Sequence, residues 1–207
     1  MVYAPVAAAQ ERPGLVVRTL ERAPLVDGMV GEAEYGEAGV RIAAGGGEVR
    51  VWVVRGGGAI YVAAAIPDST FYWGDDLAVS LDPDGSGGDA PEPGDRQWYL
   101  RRLVDSSVVM TAAGGRWMQP GSEPPMLGAA RQGADWSVAS TSDEAGWSLE
   151  LRIDERALSA GDGAPAIGFR TYDDAPRGWW TWPLPPAGAR PQLVERTPRL
   201  WAVLDLQ

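Results

Sequence analysis

The chain has no lysine, no histidine and no cysteine; all eighteen of its basic residues are arginine. Without an imidazole, a thiol or a primary side-chain amine it lacks the usual general bases, thiolate nucleophiles and Schiff-base formers of neutral-pH catalysis. Disulfides, thiolate metal sites and iron–sulfur clusters are excluded with the cysteines. No run of 18 apolar residues occurs, so no helical membrane span is expected. The net charge of −10 lacks the basic footprint that nucleic acid or an anionic membrane demands. What is abundant is tryptophan, ten residues, with 27 glycines and 17 prolines. Side chains that stack and hydrogen-bond, but do not move protons near pH 7, point to recognition rather than catalysis. The charge fits a small neutral ligand or a bound cation as partner.

Glycine and proline punctuate the chain too densely for a helical bundle. Short apolar alternations bounded by Gly, Pro and Asp clusters predict strands instead. Glu48–Val54 and Ala59–Ile66 flank Arg55-Gly56-Gly57-Gly58, a hairpin signal. Leu77, Val79 and Leu81 share one strand face. Trp147, Leu149, Leu151 and Ile153 alternate with Ser148, Glu150 and Arg152 and lead into a one-turn helix near 154–159 with Asp154 as its N-cap. Further strands are expected at Leu15–Val17, Gln97–Val104, Ser107–Thr111, Ala166–Tyr172 and Leu200–Leu206, and long loops at 119–134 and 183–198. The predicted fold is all-β: a single antiparallel β-sandwich, jelly-roll or immunoglobulin-like, of ten or so strands. Residues 1–14 read as a disordered stretch or signal-peptide remnant and 15–207 as the one ligand-binding domain. The alanine-rich opening gives the expectation of an extracellular or periplasmic protein.

The order of motifs from Pro24 to the C-terminus resembles family-nine carbohydrate-binding modules. The resemblance runs through Pro24-Leu25-Val26-Asp27-Gly28 with Glu32 and Tyr35, then Val49-Arg50-Val51, Ile60-Tyr61-Val62 and Asp68. It continues through Trp73-Gly74-Asp75-Asp76 with the strand to Asp82, Gly146–Ile153, Ile167-Gly168-Phe169, Asp173-Asp174 and Trp179-Trp180-Thr181-Trp182-Pro183. It implies a β-sandwich of the wider DOMON-like group, a sugar held between two tryptophans, and structural calcium. Trp73 and Trp182 take the clamp positions. At two places the chain departs from the sugar-binding pattern: Ala78 stands where a glutamate follows the first tryptophan, and Tyr99 where an arginine is found, with Arg101 and Arg102 close by.

The residues suggest the same region. Trp73 enters from a loop, and strand alternation sets Trp180 and Trp182 on one side of their strand and Trp179 on the other. Asp75, Asp76 and Asp173, with Asp174, are candidate acceptors for sugar hydroxyls, and Arg177 a donor fork. The alternative is that these aromatics are ordinary core, as expected for Trp52, Trp147 and Trp201. Asp82, Asp84, Ser86 and Asp89 present oxygens at odd spacing in a glycine-rich stretch. That pattern is expected either of a calcium loop or of a solvated Asp/Gly turn, and it lacks the bidentate glutamate of an EF-hand. Paired carboxylates among Asp75, Asp76, Glu150, Asp173 and Asp174 are the only pool for histidine-free glycoside hydrolysis, and no enzyme is expected. Haem, bound by DOMON-like relatives, is not expected either, since only methionines remain as axial ligands. Two further readings stay open: a DOMON-like domain for a different small ligand, and a calcium-stabilised structural module of a larger exported protein.

Overall fold

The computed structural model describes residues 11–44, 47–119, 135–158, 163–173 and 178–207. In chain order their strands are β1 (Gly14–Thr19), β2 (Val40–Ala44), β3 (Gly47–Gly56), β4 (Ala59–Ile66), β5 (Asp76–Asp82), β6 (Arg96–Arg101), β7 (Val108–Ala113), β8 (Arg116–Met118), β9 (Trp136–Ser142), β10 (Trp147–Asp154), β11 (Ala166–Asp173), β12 (Gly178–Trp182) and β13 (Ala202–Leu206). One layer runs β8-β7-β6-β5-β11, with β12 and β13 sharing the far side of β11. The other runs β2-β3-β4-β10-β9. Strand β1 stitches the layers together: Gly14–Val17 pair with β13, and Arg18 and Thr19 pair with β3. Both pairings are parallel, so the sandwich is mixed rather than wholly antiparallel. The reason is connectivity, because β1 meets partners from distant parts of the chain that no hairpin could supply.

Period-two alternation builds the core between the layers. Leu149, Leu151 and Ile153 of β10 meet Val79, Leu81, Trp98 and Phe169 from the opposite layer, all at most 2 % exposed. The β3–β4 hairpin turns on Gly57 and Gly58 at φ 57° and 76°, the left-handed pair that a type I′ turn needs. The helix expected near 154–159 is a 3₁₀ turn, Glu155–Leu158, and Asp154 Oδ1 accepts the Arg156 N–H at 3.0 Å. Within 183–198, expected as a loop, lie the start of another 3₁₀ turn (Pro198–Leu200) and a helix, here α2 (Gln192–Glu195). A further helix, here α1 (Glu32–Tyr35), lies before β2. Residues 11–13 do not belong to a loose terminus: Arg12 Nε donates to the Trp201 carbonyl at 3.1 Å. Of the segment 119–134, only 119 is among the described residues.

The outer faces of the two layers differ, and that difference positions the site. The β3–β4–β10 face is covered by the segment before β2. There Tyr35 packs on Trp52, and Glu150, fully buried, accepts from Tyr35 Oη and from the N–H groups of Asp27 and Gly28 at 2.8 and 2.6 Å. On the other layer α2 and Trp201 cover one end. Trp201 Nε1 donates to the Val194 carbonyl at 2.6 Å, and its ring lies so close to Gly168 that a Cβ there would sit 2.7 Å from it. The other end, above β5, β6, β11 and β12, carries polar and aromatic side chains.

Candidate functional site

Register aligns one row across four strands: Tyr99 pairs with Ala78, Ala78 with Arg170, and Arg170 with Thr181. The neighbouring row toward the loops brings Arg101 beside Asp76, and Tyr172 beside Trp179. These residues face away from the core. The intervening positions Trp98, Val79, Phe169 and Trp182 face into it.

Arg170 organises this surface. It is 3 % exposed, and its Nη1 lies 2.9 Å from Asp76 Oδ1 while its Nε lies 2.9 Å from Glu195 Oε2 on α2. The guanidinium sits between two rings, 4.3 Å from the Trp179 centroid and 5.3 Å from that of Tyr99. Tyr99 Oη donates to the other oxygen of Asp76 at 2.5 Å. Burial pushes the Asp76 carboxyl above the ordinary range, opposed chiefly by Arg170 and then by the Tyr99 hydroxyl. Tyr99 is itself raised by burial and by the neighbouring carboxylate.

Trp73 comes from the loop before β5 and is 73 % exposed. The loop is pinned from below. Asp75 Oδ2 accepts the Tyr72 N–H at 3.0 Å and Arg102 Nη1 at 3.1 Å, and the same Nη1 donates to the Thr70 carbonyl at 2.7 Å. Gly74 lets the Tyr72 ring fold back over the backbone, because a Cβ would lie 2.3 Å from that ring and displace it. From this anchor the rings run continuously: Trp73 to Tyr72 at 5.2 Å, Tyr72 to Tyr172 at 6.0 Å, Tyr172 to Trp179 at 4.7 Å. Arg101 spans the other side, 5.8 Å from the Trp73 centroid and 4.6 Å from that of Tyr99, donating to the Trp73 carbonyl at 3.0 Å. Its charge also favours the ionised Asp76 carboxylate across the strand pair, and among the described residues no ion pair ties it to a carboxylate.

Of the residues expected at a binding site, the structure therefore gathers Trp73, Tyr99 and Trp179 on one face. Trp182 and Trp180 are on the other side of β12, as alternation requires. Trp182 stacks on Phe169 with centroids 5.9 Å apart, so the tryptophan sharing a face with Tyr99 and Arg170 is Trp179. Asp75 and Asp76 are 1 % exposed and spent on Arg102 and Arg170, which makes them supports rather than exposed acceptors. The Asp173 side chain and residues 174–177, Arg177 among them, lie outside the described residues. Sequence reasoning missed Arg170, Tyr172 and Glu195, and named Arg101 only as a neighbour of Tyr99. The available signal was an arginine and a tyrosine on one face of the otherwise apolar strand Ala166–Tyr172.

The surface offers ring faces, a partly free guanidinium and locked carboxylates. Asp76 and Glu195 share one arginine, and Glu150 is buried under the opposite layer, so among the described residues these carboxylates do not form the open pair that glycoside hydrolysis needs. The Asp82 stretch is arranged as a turn. Asp82 is fully buried and accepts the N–H groups of Ser86 and Gly87 at 3.2 and 2.9 Å. Burial, then its hydrogen bond with Asp84, raises the Asp82 carboxyl, and the same bond lowers that of Asp84. Asp89 turns away to Arg199, and Ser86 is exposed. Asp82, Asp84 and Ser86 stay in contact while Asp89 leaves them, and among the described residues no group of three or more acidic side chains is arranged to hold a metal ion. Among those residues no helix is long and apolar enough to cross a membrane.

No protein-family model matches this chain, and no curated protein sequence does. Solved structures do match. A family-nine carbohydrate-binding module from Caldicellulosiruptor kristjanssonii in complex with cellotriose is 15 % identical, covers 93 % of each chain and superposes with a TM-score of 0.63. A module of that family from the same organism in complex with glucose is 14 % identical, covers 93 % of this chain and 95 % of its own, and gives a TM-score of 0.62. The β-sandwich is thus the fold of family-nine carbohydrate-binding modules.

Proposed function

We propose that the protein is a non-catalytic carbohydrate-binding module whose saccharide lies on the exposed face of β5, β6, β11 and β12, stacked on Trp73 and Trp179. The observation that carries this reading is Trp73: a tryptophan left 73 % exposed, on a loop pinned by a buried ion pair, beside a row of rings and guanidinium groups. Proteins of the same fold hold cellotriose and glucose. A pyranose presents C–H groups that pack on an indole face, and Arg101 supplies donors for its hydroxyls. Arg170 acts as a positioning residue, setting the Trp179 ring and the Tyr99 hydroxyl by stacking and through Asp76.

The absence of histidine and cysteine, and the sequestration of the carboxylates, support binding without turnover. A polymeric glycan is too large to enter a cell, so such a module would work outside it, as part of an exported protein. Titrating tryptophan fluorescence with glucose, cellobiose and cellotriose tests the reading. Saturable change is expected, with affinity rising from one sugar unit to three, and a flat response to all of them rejects it.

A further inference from the structure

The two layers are joined through β13, β1 and β3, but β12 pairs only with β11 and β2 only with β3. Where these free edges face each other a cleft of about 720 Å³ opens, within the range of small-molecule sites. Trp180 and Trp182 of β12 form one wall, which Trp179 and Thr181 of the same strand also border; Ile42 and Ala43 of β2 and Leu200 also line it. In a chain of net charge −10, three arginines reach this lining, Arg12, Arg41 and Arg199, against one acidic residue, Glu11. Arg41 and Arg199 are half-exposed, their side chains 43 and 54 % accessible. Arg199 spends Nε on Asp89, and Arg41 donates Nη1 to Glu48 with Nη2 4.0 Å from Glu37, beyond hydrogen-bond distance, so each keeps donors unspent. Two polar atoms of the lining strand, Trp180 Nε1 and Thr181 Oγ1, have no hydrogen-bond partner, although Thr181 is only 2 % exposed.

We propose that this cleft is a second binding site, bordering the saccharide face at Trp179 but opening between β12 and β2, for a flat aromatic carboxylic acid. Two indoles and an apolar floor select a planar ring system over a polyol, because a sugar's hydroxyls would meet few partners there. The carboxylate is drawn to the rim, where guanidinium groups with spare donors recognise a planar oxyanion in bidentate fashion. Elsewhere the acidic surface repels such a molecule, so the arginines also decide where it docks.

The test uses 2-naphthoate as probe and 2-naphthalenemethanol as its neutral counterpart, followed by calorimetry and tryptophan quenching on the full chain. Naphthoate should bind saturably, and the alcohol roughly tenfold more weakly, the weight of one charge-assisted hydrogen-bond pair. Ala43→Trp, at an exposed position of β2, should plug the cleft and remove naphthoate binding while leaving cellotriose titrations unchanged. R41Q/R199Q should abolish the preference for the acid, a readout that does not depend on how Ala43→Trp folds. No saturable naphthoate binding, equal binding of acid and alcohol, or binding undisturbed by Ala43→Trp would each overturn the proposal.

Discussion

Replacing Arg170 by methionine keeps the bulk beneath Trp179 and removes the charge. Asp76 is then left 1 % exposed with the Tyr99 hydroxyl as its side-chain hydrogen-bond partner and only the more distant Arg101 charge beside it, while Glu195, 15 % accessible at its side chain, can still reach water. At the observed 2.9 Å the Asp76–Arg170 attraction is about 5–6 kcal/mol at an effective dielectric of about 20. Desolvation of both ions offsets much of this in the intact pair. Breaking one half nevertheless strands a buried charge, at about 3–5 kcal/mol. In a chain of this size that lowers Tm by about 10 °C. The pH dependence identifies the cause. Burial already raises Asp76 and Arg170 opposes it, so the variant's carboxyl rises further. A folded-state pKa above the unfolded value means that the native state binds the proton first as pH falls. The penalty is therefore fully present above the variant's folded pKa and shrinks toward the unfolded value near 3.9. Denaturant melts of wild type, R170M and R170M/D76N at several pH values measure this. The double variant should recover most of the loss at neutral pH. An R170M curve that overlays wild type at pH 7, or a deficit unchanged by acid and by D76N, would refute the reasoning.

Trp73→Ala should leave Tm within a degree or so while weakening cellotriose binding; a sugar covering about 70 Å² of indole contributes about 1.8 kcal/mol, roughly twentyfold in Kd. Trp182→Ala, by contrast, should cost about 3 kcal/mol of stability through its packing on Phe169, read from chemical denaturation. Asp95, 2 % exposed, has its carboxyl pushed up to about 6 by burial. Its folded pKa exceeds the unfolded one, so its effect is to make stability fall as pH rises from about 4 to about 6, by about 3 kcal/mol. Asp95→Asn should remove that slope and stabilise the protein at pH 7; unchanged pH curves would contradict it. Because Asp89 pairs with Arg199 away from Asp82, and among the described residues no three acidic side chains are grouped to hold a metal ion, excess chelator should leave Tm where calcium leaves it; a shift of several degrees would show calcium binding to this chain.

Much of the fold was legible because it rests on local chemistry. Gly57 and Gly58 announce a type I′ hairpin, and Trp147, Leu149, Leu151 and Ile153 announce their own buried face. The parallel pairings of β1 were not, since they join residues near 14 to residues near 203. The site was half legible for the same reason. An exposed loop tryptophan could be named, and alternation could divide Trp179 from Trp180 and Trp182. Choosing among them needed Arg170, which stacks on Trp179 from β11. Asp75 and Asp76 look like free acceptors on a Gly-flanked turn until Arg102, 27 residues away, and Arg170, 94 residues away, arrive to pair with them. Asp89 likewise leaves the supposed calcium set for Arg199, 110 residues distant. Pairings at that separation are decided by packing, which no local pattern encodes.

The central claim, that a saccharide rests on Trp73 and Trp179, is tested most directly by following the ten indole N–H resonances during a cellotriose titration. The account predicts saturable shifts of the Trp73 and Trp179 signals, with those of the buried Trp52, Trp98, Trp147 and Trp201 unmoved. Shifts confined to other tryptophans, or none at saturating sugar, would contradict it.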